Sequence, residues 1–503
     1  MICVVIKGPT FEEAHQQILK AIAYADLVEL RLDCFQSLDL ATLKILRSHF
    51  SIPMIFTLRS QIQGGSYTQS EENRLADIRR LIELKPEYLD LENHVSACFI
   101  EEISFQCPEI KLVLSYHNFT ETPEDLEGIY QEMKKIPASL YKIAVTAKNC
   151  LDALRLVCWA KKSDDNLIAI SMGTYGQVSR ILGPIMGCPI TYAALQEDQK
   201  SAPGQLSAKT LIERYHHRSL NFHTAIYGLI GDPIDQSISD ETHNSLITAC
   251  GINAVYVKIQ VNPSELSDFL QFAKQLPFHG LSVTMPLKEH ILPFLDDIDP
   301  QALDIGAVNT LLFEEGKIFG FNTDGIGALN AIESEYQVKD KRIVIIGAGG
   351  ATKAIAYEAH QRGGLVTIVN RDERKAFQIA EDLHCIGKGL DYMATCAETG
   401  YDILINCTPS SLPIASDYIL PQAIVMDITT KPKETAFLKL AIEKGCPIIY
   451  GYRMFIEQAL GQFNLWFKSH FDIQKSRKIL EKKATDCLQD LEKPCVKLVN
   501  PRQ

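Results

Sequence analysis

Eight short apolar runs punctuate the first two hundred residues: ICVVIKG (2–8), LVELRLD (27–33), MIFTLRS (54–60), YLDLEN (88–93), KLVLSYHN (111–118), LYKIAVTA (140–147), LIAISMG (167–173) and PITYAAL (189–195). Their brevity and β-branched content predict strands. Between them lie stretches with helical spacing, such as TFEEAHQQILKAIAYA and EENRLADIRRLIELK. Strand–helix alternation predicts a parallel sheet. Eight such units over about 215 residues predict closure into a (β/α)8 TIM barrel, within the ~200 to 400 residues usual for that fold. Polar residues collect at the carboxyl ends of the runs: Glu29 and Arg31, Arg59, Glu92 and His117, with Lys142 inside the sixth. A barrel of this kind carries its chemistry on that rim.

The pattern breaks at ERYHHRSLNFHT (213–224), and a fresh strand follows at AIYGLIG (225–231). From there to about residue 330 the chain reads as an α/β region. From 340 it reads strand, glycine turn, helix, strand: KRIVIIGAGGATKAIAYEAHQRGGLVTIVNRDERKA. The expected division is a barrel at 1–220, an α/β substrate lobe at 225–335, a Rossmann lobe at 336–448 and helices returning to the substrate lobe at 449–475. A charged, helix-prone tail at 476–503 is assigned no role.

Composition narrows the classes. A chain of 503 residues, 46% hydrophobic and 22% charged, is expected to be a soluble protein of two or three domains. A net charge of −12 argues against nucleic acid or an anionic membrane as partner. No apolar run has the length of a membrane span, and MICVVIKGP does not read as a leader, so cytoplasm is the expected compartment. The 14 cysteines are scattered, with no CxxC pair and no zinc spacing.

Two features carry chemistry on their own terms. Lys142 in an apolar strand must pair with a carboxylate or be desolvated for a reason. A structural lysine paired with Glu29 or Glu92 and a nucleophilic amine are both open. The glycine turn places Gly347, Ala348, Gly349, Gly350 and Ala351 between a strand and a helix, as a dinucleotide pyrophosphate requires, although Thr352 holds the sixth position of the fingerprint. The next strand ends at Asn370–Arg371, where NAD enzymes carry an acid for the ribose diol. A guanidinium suits a 2′-phosphate, so NADP(H) is preferred, with Asp372 a competing ion-pair partner.

In order along the second half, YGLIGDPIDQSIS, LSVTMPLKEH, IGAVNTL, GFNTDGIG, IVIIGAGGA, INCTP and GYRMFIEQAL resemble shikimate dehydrogenase. In the first half VELRLD, FTLRS, LSYHNF, YKIAV, SMGTYGQVSR and SAPGQL resemble type I 3-dehydroquinate dehydratase. Together they resemble a fusion of two consecutive steps of the shikimate pathway. The resemblance implies that Lys142 forms an imine with 3-dehydroquinate, with His117 as general base. It implies Arg180 on the substrate carboxylate, Ser201 and Gln205 on a loop, and Glu29, Arg31 and Arg59 on the hydroxyls. The iminium serves as electron sink, so no metal is implied. Burial beside the arginines is expected to favour the neutral amine.

For the second reaction, 3-dehydroshikimate to shikimate, the resemblance implies Lys288 and Asp324 as the catalytic pair. Ser237 and Ser239 would bind the carboxylate, and Thr284, Asn309 and Gln458 would contact the substrate. Asn406, Thr408 and Gly451 would lie along the cofactor. Three positions depart from the pattern: Gln63 stands where an acid is usual, Asp240 where a proline is, and Ser282 where an asparagine is common. An aldolase barrel, a quinate dehydrogenase and a scaffold without activity are the rival readings; the scaffold predicts loss of Lys142, His117, Lys288 or Asp324, all of which are present.

Overall fold

A computed structural model describes residues 1–164, 166–196, 204–468 and 472–489. By their internal contacts they fall into two units, 1–225 with 253–259 and 267–277, and 226–252 with 260–266 and 278–503. Among the described residues no helix is long and apolar enough to cross a membrane.

The first unit is built on eight parallel strands: β1 (Ile2–Ile6), β2 (Leu27–Arg31), β3 (Met54–Thr57), β4 (Tyr88–Glu92), β5 (Lys111–Asn118), β6 (Leu140–Thr146), β7 (Leu167–Met172) and β8 (Thr191–Ala193). Their spatial order is β7-β6-β5-β4-β3-β2-β1-β8, so every strand lies beside its sequence neighbour except β8, which closes back onto β1. Strands buried on both faces suit the near-continuous apolar runs. The helices meet them with a narrow apolar stripe. Phe11–Ala21 opens with a Thr10–Glu13 capping box and buries Ala14, Ile18 and Ala21.

Inside the barrel, side chains sort into layers. Leu27, Ile55, Tyr88, Val113 and Ile168 belong to an apolar cluster. Two residues further along their strands stand Glu29, Thr57, Asp90 and Ser115, and Ser115 is in register with Lys142 on β6. The period of two thus places a polar layer over an apolar floor, at the carboxyl end of the strands.

The second sheet contains β9 (Ala225–Gly231), β10 (Ala254–Gln260), β11 (Phe278–Val283), β12 (Asp297–Ile298), β13 (Thr310–Glu314) and β14 (Lys317–Phe321) in the order β10-β9-β11-β13-β14-β12. The third contains β15 (Arg342–Ile346), β16 (Leu365–Asn370), β17 (Ile386–Gly389), β18 (Ile403–Asn406), β19 (Ile424–Asp427) and β20 (Ile448–Ile449), with order β17-β16-β15-β18-β19-β20. Among the described residues all its strand pairings are parallel, the doubly wound arrangement whose switch point lies beside β15. The glycine turn sits there.

Helix Asp324–Glu333 ties the two sheets' layers together. A Cβ on Gly325 would lie 2.3 Å from the Ala354 carbonyl oxygen, and one on Gly327 would lie 2.7 Å from the Gln458 amide nitrogen. Only glycine permits both approaches. Helix Ile473–Gln489 was not legible as part of the fold. The reading of 476–503 as a charged tail is met, up to Gln489, by a helix that buries Ser476, Leu480, Ala484, Cys487 and Leu488. It packs on helices Ser239–Ala249 and Gly451–Phe467, with Cys487 Sγ 3.1 Å from Glu241. Lysines between the buried positions had masked the stripe.

Candidate active sites

The barrel mouth holds a cavity lined by Glu29, Arg31, Arg59, Gln63, His117, Lys142, Arg180, Tyr192 and Gln205. Seven of these nine, all but Gln63 and Tyr192, are residues the sequence singled out for binding or catalysis. Ser201 lies outside the described residues.

Lys142 is buried, and its ammonium is paired with Asp90, with Glu29 Oε1 3.9 Å away and the Tyr192 ring centroid 4.7 Å away. Of the two carboxylates expected beside it, Glu29 is within ion-pair range and Glu92 is not, and the nearest partner is Asp90, which was not expected. Glu92 is engaged elsewhere, 2.6 Å from Arg74 and 3.8 Å from Arg59. Arg59 also donates to Asp90 at 2.8 Å and to Ser115 Oγ at 2.7 Å, and Ser115 donates onward to Asp90 at 2.7 Å. Burial opposes the charge of Asp90, but Arg59 and Lys142 outweigh it and hold the carboxyl below the usual carboxylate range. The signal for Asp90 was in the strand: it precedes Glu92 by two and shares its inward face.

Arg31 is clamped by Asp33 through bonds of 3.0 and 2.8 Å, and Asp33 also accepts from the backbone of Arg59 and Ser66. Arg180 differs. Among the described residues it meets no carboxylate; it donates to the Tyr192 carbonyl at 3.0 Å, its Nε has no partner, and burial pulls it down to about 10. A buried guanidinium without a counter-charge is a receptor for an anion.

His117 faces the same cavity. Burial, then the charges of Arg59 and Lys142, hold its imidazole well below its ordinary value. The imidazole is therefore neutral near pH 7, a proton acceptor beside a buried primary amine and an anion receptor. That set can remove a proton next to a carbonyl whose carbon the amine attacks.

The second site gathers around Lys288 and Asp324, an ion pair in which Asp324 is the first residue of its helix. A carboxylate at a helix N-terminus is favoured by the free N–H groups. Asn309 Nδ2 donates to Asp324 Oδ1 at 2.8 Å, while its Oδ1 accepts from the Thr323 amide at 2.9 Å and the Thr310 hydroxyl at 2.7 Å. Behind them Gln462, buried and not foreseen, donates to Thr310 Oγ1 at 3.0 Å and the Asn309 carbonyl at 3.2 Å, and accepts from Ser282 Oγ at 2.9 Å. Its signal was the i, i+4 spacing from Gln458 on a helix whose neighbours are core. Thr284 follows β11, and Gln458 is half-buried, with its amide donating to Phe455 O at 2.9 Å. The Ser237 and Ser239 hydroxyls lie 2.7 Å apart. Ser239 begins its helix, and its backbone N–H donates to Ser237 Oγ at 3.2 Å, so Ser237 also holds the start of that helix.

The residues of the glycine turn fit a dinucleotide. Gly347 has φ +122°, in the region that favours glycine, and a Cβ on Gly349 would stand in open space before the helix Gly350–Gln361. A Cβ on Gly350 would lie 3.3 Å from the Lys288 side chain, so the turn adjoins the Lys288–Asp324 pair. Ala348 lies within the turn, and Ala351 is the second residue of that helix. At the end of β16, Arg371 is exposed and makes no ion pair among the described residues. Asp372 caps the next helix by accepting from the Arg374 amide at 3.2 Å. Asn406 is fully buried, with its oxygen on Thr408 and its amide on Asp427. Gly451 starts its helix so close to β19 that a Cβ would lie 2.3 Å from the Thr429 carbonyl oxygen.

Comparison with known proteins gives three family matches: type I 3-dehydroquinase over residues 2–221, shikimate dehydrogenase substrate binding domain over 229–311, and shikimate / quinate 5-dehydrogenase over 329–440. The chain is 38% identical over 469 residues to the shikimate biosynthesis protein AroDE of Chlamydia pneumoniae, covering 93% of this chain and 95% of that protein. It is 35% identical over 498 residues to the chloroplastic bifunctional 3-dehydroquinate dehydratase/shikimate dehydrogenase of Arabidopsis thaliana, covering 93% and 82%. Its second part is 39% identical over 265 residues to the shikimate dehydrogenase (NADP(+)) of Pyrococcus furiosus, covering 52% of this chain and 96% of that protein.

The Asp90 analysis makes a stability prediction. Asp90→Asn leaves Lys142 and Arg59 short of a counter-charge, and breaking a buried pair costs about 3–5 kcal/mol. Because the folded-state pKa is depressed, the contribution is present above the unfolded value near ~3.9 and fades as pH falls toward the folded one. In a Trp466→Phe background, Trp159 fluorescence reports barrel unfolding in urea. The variant midpoint should fall at pH 7 and the deficit should narrow below about pH 4. Equal midpoints at pH 7 would refute the pair's structural weight.

Proposed function

The chain belongs to the family of fused 3-dehydroquinate dehydratase–shikimate dehydrogenase proteins, and from that membership we propose that Lys142 and Lys288 head its two reactions. It is a bifunctional shikimate-pathway enzyme, a lyase and an NADP-dependent oxidoreductase. The barrel, taken as 1–220, dehydrates 3-dehydroquinate, and the lobes at 225–335 and 336–448, with the helices at 449–475, reduce the product. The observation that carries this reading is the Lys142 amine buried against Asp90, in one cavity with a neutral His117 and an Arg180 that meets no carboxylate among the described residues.

In the first reaction the substrate carboxylate seats on Arg180, supplying the counter-charge that guanidinium lacks. The Lys142 amine adds to the ketone carbon, and loss of water leaves an iminium. Asp90 remains as counter-ion to the positive nitrogen. His117 takes the proton next to the iminium carbon and returns it to the departing hydroxide, so the C–O bond breaks with release of water. Hydrolysis then frees 3-dehydroshikimate and restores Lys142. Positioned general-base catalysis of this kind is worth about 10²- to 10⁴-fold. Glu29, Arg31 and Arg59 hold hydroxyls, with Ser201 and Gln205 as further substrate contacts.

In the second reaction Ser237 and Ser239 take the carboxylate, and Thr284, Asn309 and Gln458 the ring hydroxyls. Lys288 delivers the proton to the C3 oxygen, oriented by Asp324, which Asn309 fixes in turn. Bound NADP(H) supplies the hydride. The glycine turn and helix start from Gly347 to Ala351 would hold its pyrophosphate, Asn370 and Arg371 its ribose phosphate, and Thr408, Asn406 and Gly451 would shape the wall beside it. The partners are thus the small molecules 3-dehydroquinate, 3-dehydroshikimate and shikimate, with no nucleic acid or membrane, and cytoplasm is the compartment proposed.

Borohydride added with 3-dehydroquinate should leave a reduced adduct on the peptide containing Lys142. Lys142→Ala should abolish dehydration and keep reduction of 3-dehydroshikimate, and Lys288→Ala should do the reverse. An adduct on another lysine, or loss of both activities in either folded variant, contradicts the assignment.

Arg371→Ala should raise KM for NADPH about tenfold or more, the loss expected for hydrogen bonds to a charged group, and leave KM for NADH unchanged. Equal use of both cofactors by the wild type would overturn the Arg371 argument.

A further inference from the structure

We propose that Gln63 is a positioning residue of the dehydration reaction: it fixes His117 in the tautomer with its proton on Nδ1 and so presents Nε2 as the base. The inference rests on the assignment of His117 as that base. It concerns a position where the resemblance implies an acid, whereas the amide present here cannot take up a proton.

Gln63 reaches the imidazole because of the turn that carries it. Residues Gln61–Gln63 form a single 3-10 turn, which ends at Gly64 with φ +73°. A Cβ on Gly64 would lie 2.5 Å from the Phe119 ring, and one on Gly65 would lie 2.0 Å from the Arg59 carbonyl oxygen. The glycine pair therefore lets the turn lie down on the end of β3 and against Phe119. The Phe119 ring is parallel to the imidazole within 9°, at 5.9 Å between centroids. His117 is thus held between a ring and the Gln63 side chain.

The direction of the bonds follows from one unambiguous donor. The backbone N–H of His117 donates to Gln63 Oε1 at 3.2 Å. Flipping the amide would set its NH2 against that N–H, donor against donor, so the oxygen must face His117. The same oxygen lies 3.2 Å from His117 Nδ1. An amide oxygen carries no hydrogen, so this contact is a hydrogen bond only if Nδ1 is the protonated nitrogen. The lone pair is then on Nε2. A backbone donor, rather than a carboxylate, decides which nitrogen is the base.

The exchange of acid for amide also sets when the base is available. The charged groups acting on His117 are Arg59, Lys142 and Arg31, which disfavour the imidazolium, and Asp90, which favours it. A carboxylate at 63 would add a second anion in hydrogen-bond contact with Nδ1 and favour the imidazolium further. Gln63 orients without that charge, so His117 remains a free base to lower pH.

The test compares wild type, Gln63→Glu and Gln63→Leu, each as the full chain, in dehydration of 3-dehydroquinate across pH. Gln63→Glu should move the acid limb of kcat/KM upward by about one pH unit or more, as an opposite charge in contact does. Gln63→Leu should keep KM and lower kcat about tenfold, the size of one lost hydrogen bond, because the imidazole is no longer held in one tautomer. Nitrogen-15 spectra of the wild-type imidazole should show Nδ1 protonated and Nε2 bare. Borohydride trapping at Lys142 shows that each barrel is folded and reactive. If all three proteins are trapped and the acid limbs of wild type and Gln63→Glu coincide, or the spectra show Nε2–H, the inference falls while the site assignment stands. If wild type is not trapped at Lys142, the assignment falls and takes the inference with it.

Discussion

A primary ammonium inside a barrel needs a carboxylate, and the Lys142–Asp90 pair is the interaction around which the first unit is organised. An unpaired buried charge costs far more than a folded domain can spare. Here the charge is met, and the partner's remaining lone pairs are met as well, by Arg59 and Ser115. Arg59 is partnered in turn by Glu92, and Glu92 by the fully buried Arg74. Positive and negative groups alternate from the strand tips outward to Glu71 at the surface end of Arg74. Arg180 is the exception: among the described residues it meets no carboxylate, which supports its proposed role as anion receptor. The apolar floor beneath, with Leu27, Ile55, Tyr88 and Val113, keeps water from competing for the layer above.

The second unit solves a related problem by different means. Its Lys288–Asp324 pair is nearer the surface, with 17% of the lysine side chain exposed, and its carboxylate is supported by a helix N-terminus rather than by arginines. Orientation comes from neutral groups: Gln462 to Thr310, Thr310 to Asn309, Asn309 to Asp324. Glycines at 325 and 327 bring that helix against Ala354 and Gln458 and so set the pair beside the dinucleotide turn. One centre is therefore built around buried charge and the other around an ion pair held by fixed dipoles, which suits the iminium proposed for the first and the proton delivery proposed for the second.

Much of this was legible in the sequence, for physical reasons that differ by element. All eight barrel strands could be read because a parallel strand buried on both faces has nowhere to place polar residues except its tip, which also exposed Glu29, Arg31, Arg59 and His117. The glycine turn could be read because its backbone excludes other residues. What escaped notice depended on register. Whether Asp90 or Glu92 reaches Lys142 is decided by the stagger between β4 and β6, which no local pattern encodes. Gln462 was hidden because a single glutamine in an apolar helix face looks like tolerance, until Ser282, Thr310 and Asn309 are seen around it. Helix Ile473–Gln489 was hidden because its lysines dilute a stripe only one residue wide per turn. Gln63 was visible as a departure, but its geometry with the His117 backbone was not.

The two proposed centres share no residue, yet the product of the first is the substrate of the second. The account therefore claims that a single purified chain performs both steps without an added protein. The direct measurement supplies only 3-dehydroquinate and NADPH and follows product and cofactor together. The account predicts shikimate formed in equal amount to the NADPH oxidised. Accumulation of 3-dehydroshikimate with NADPH untouched, or no turnover of 3-dehydroquinate at all, would contradict it.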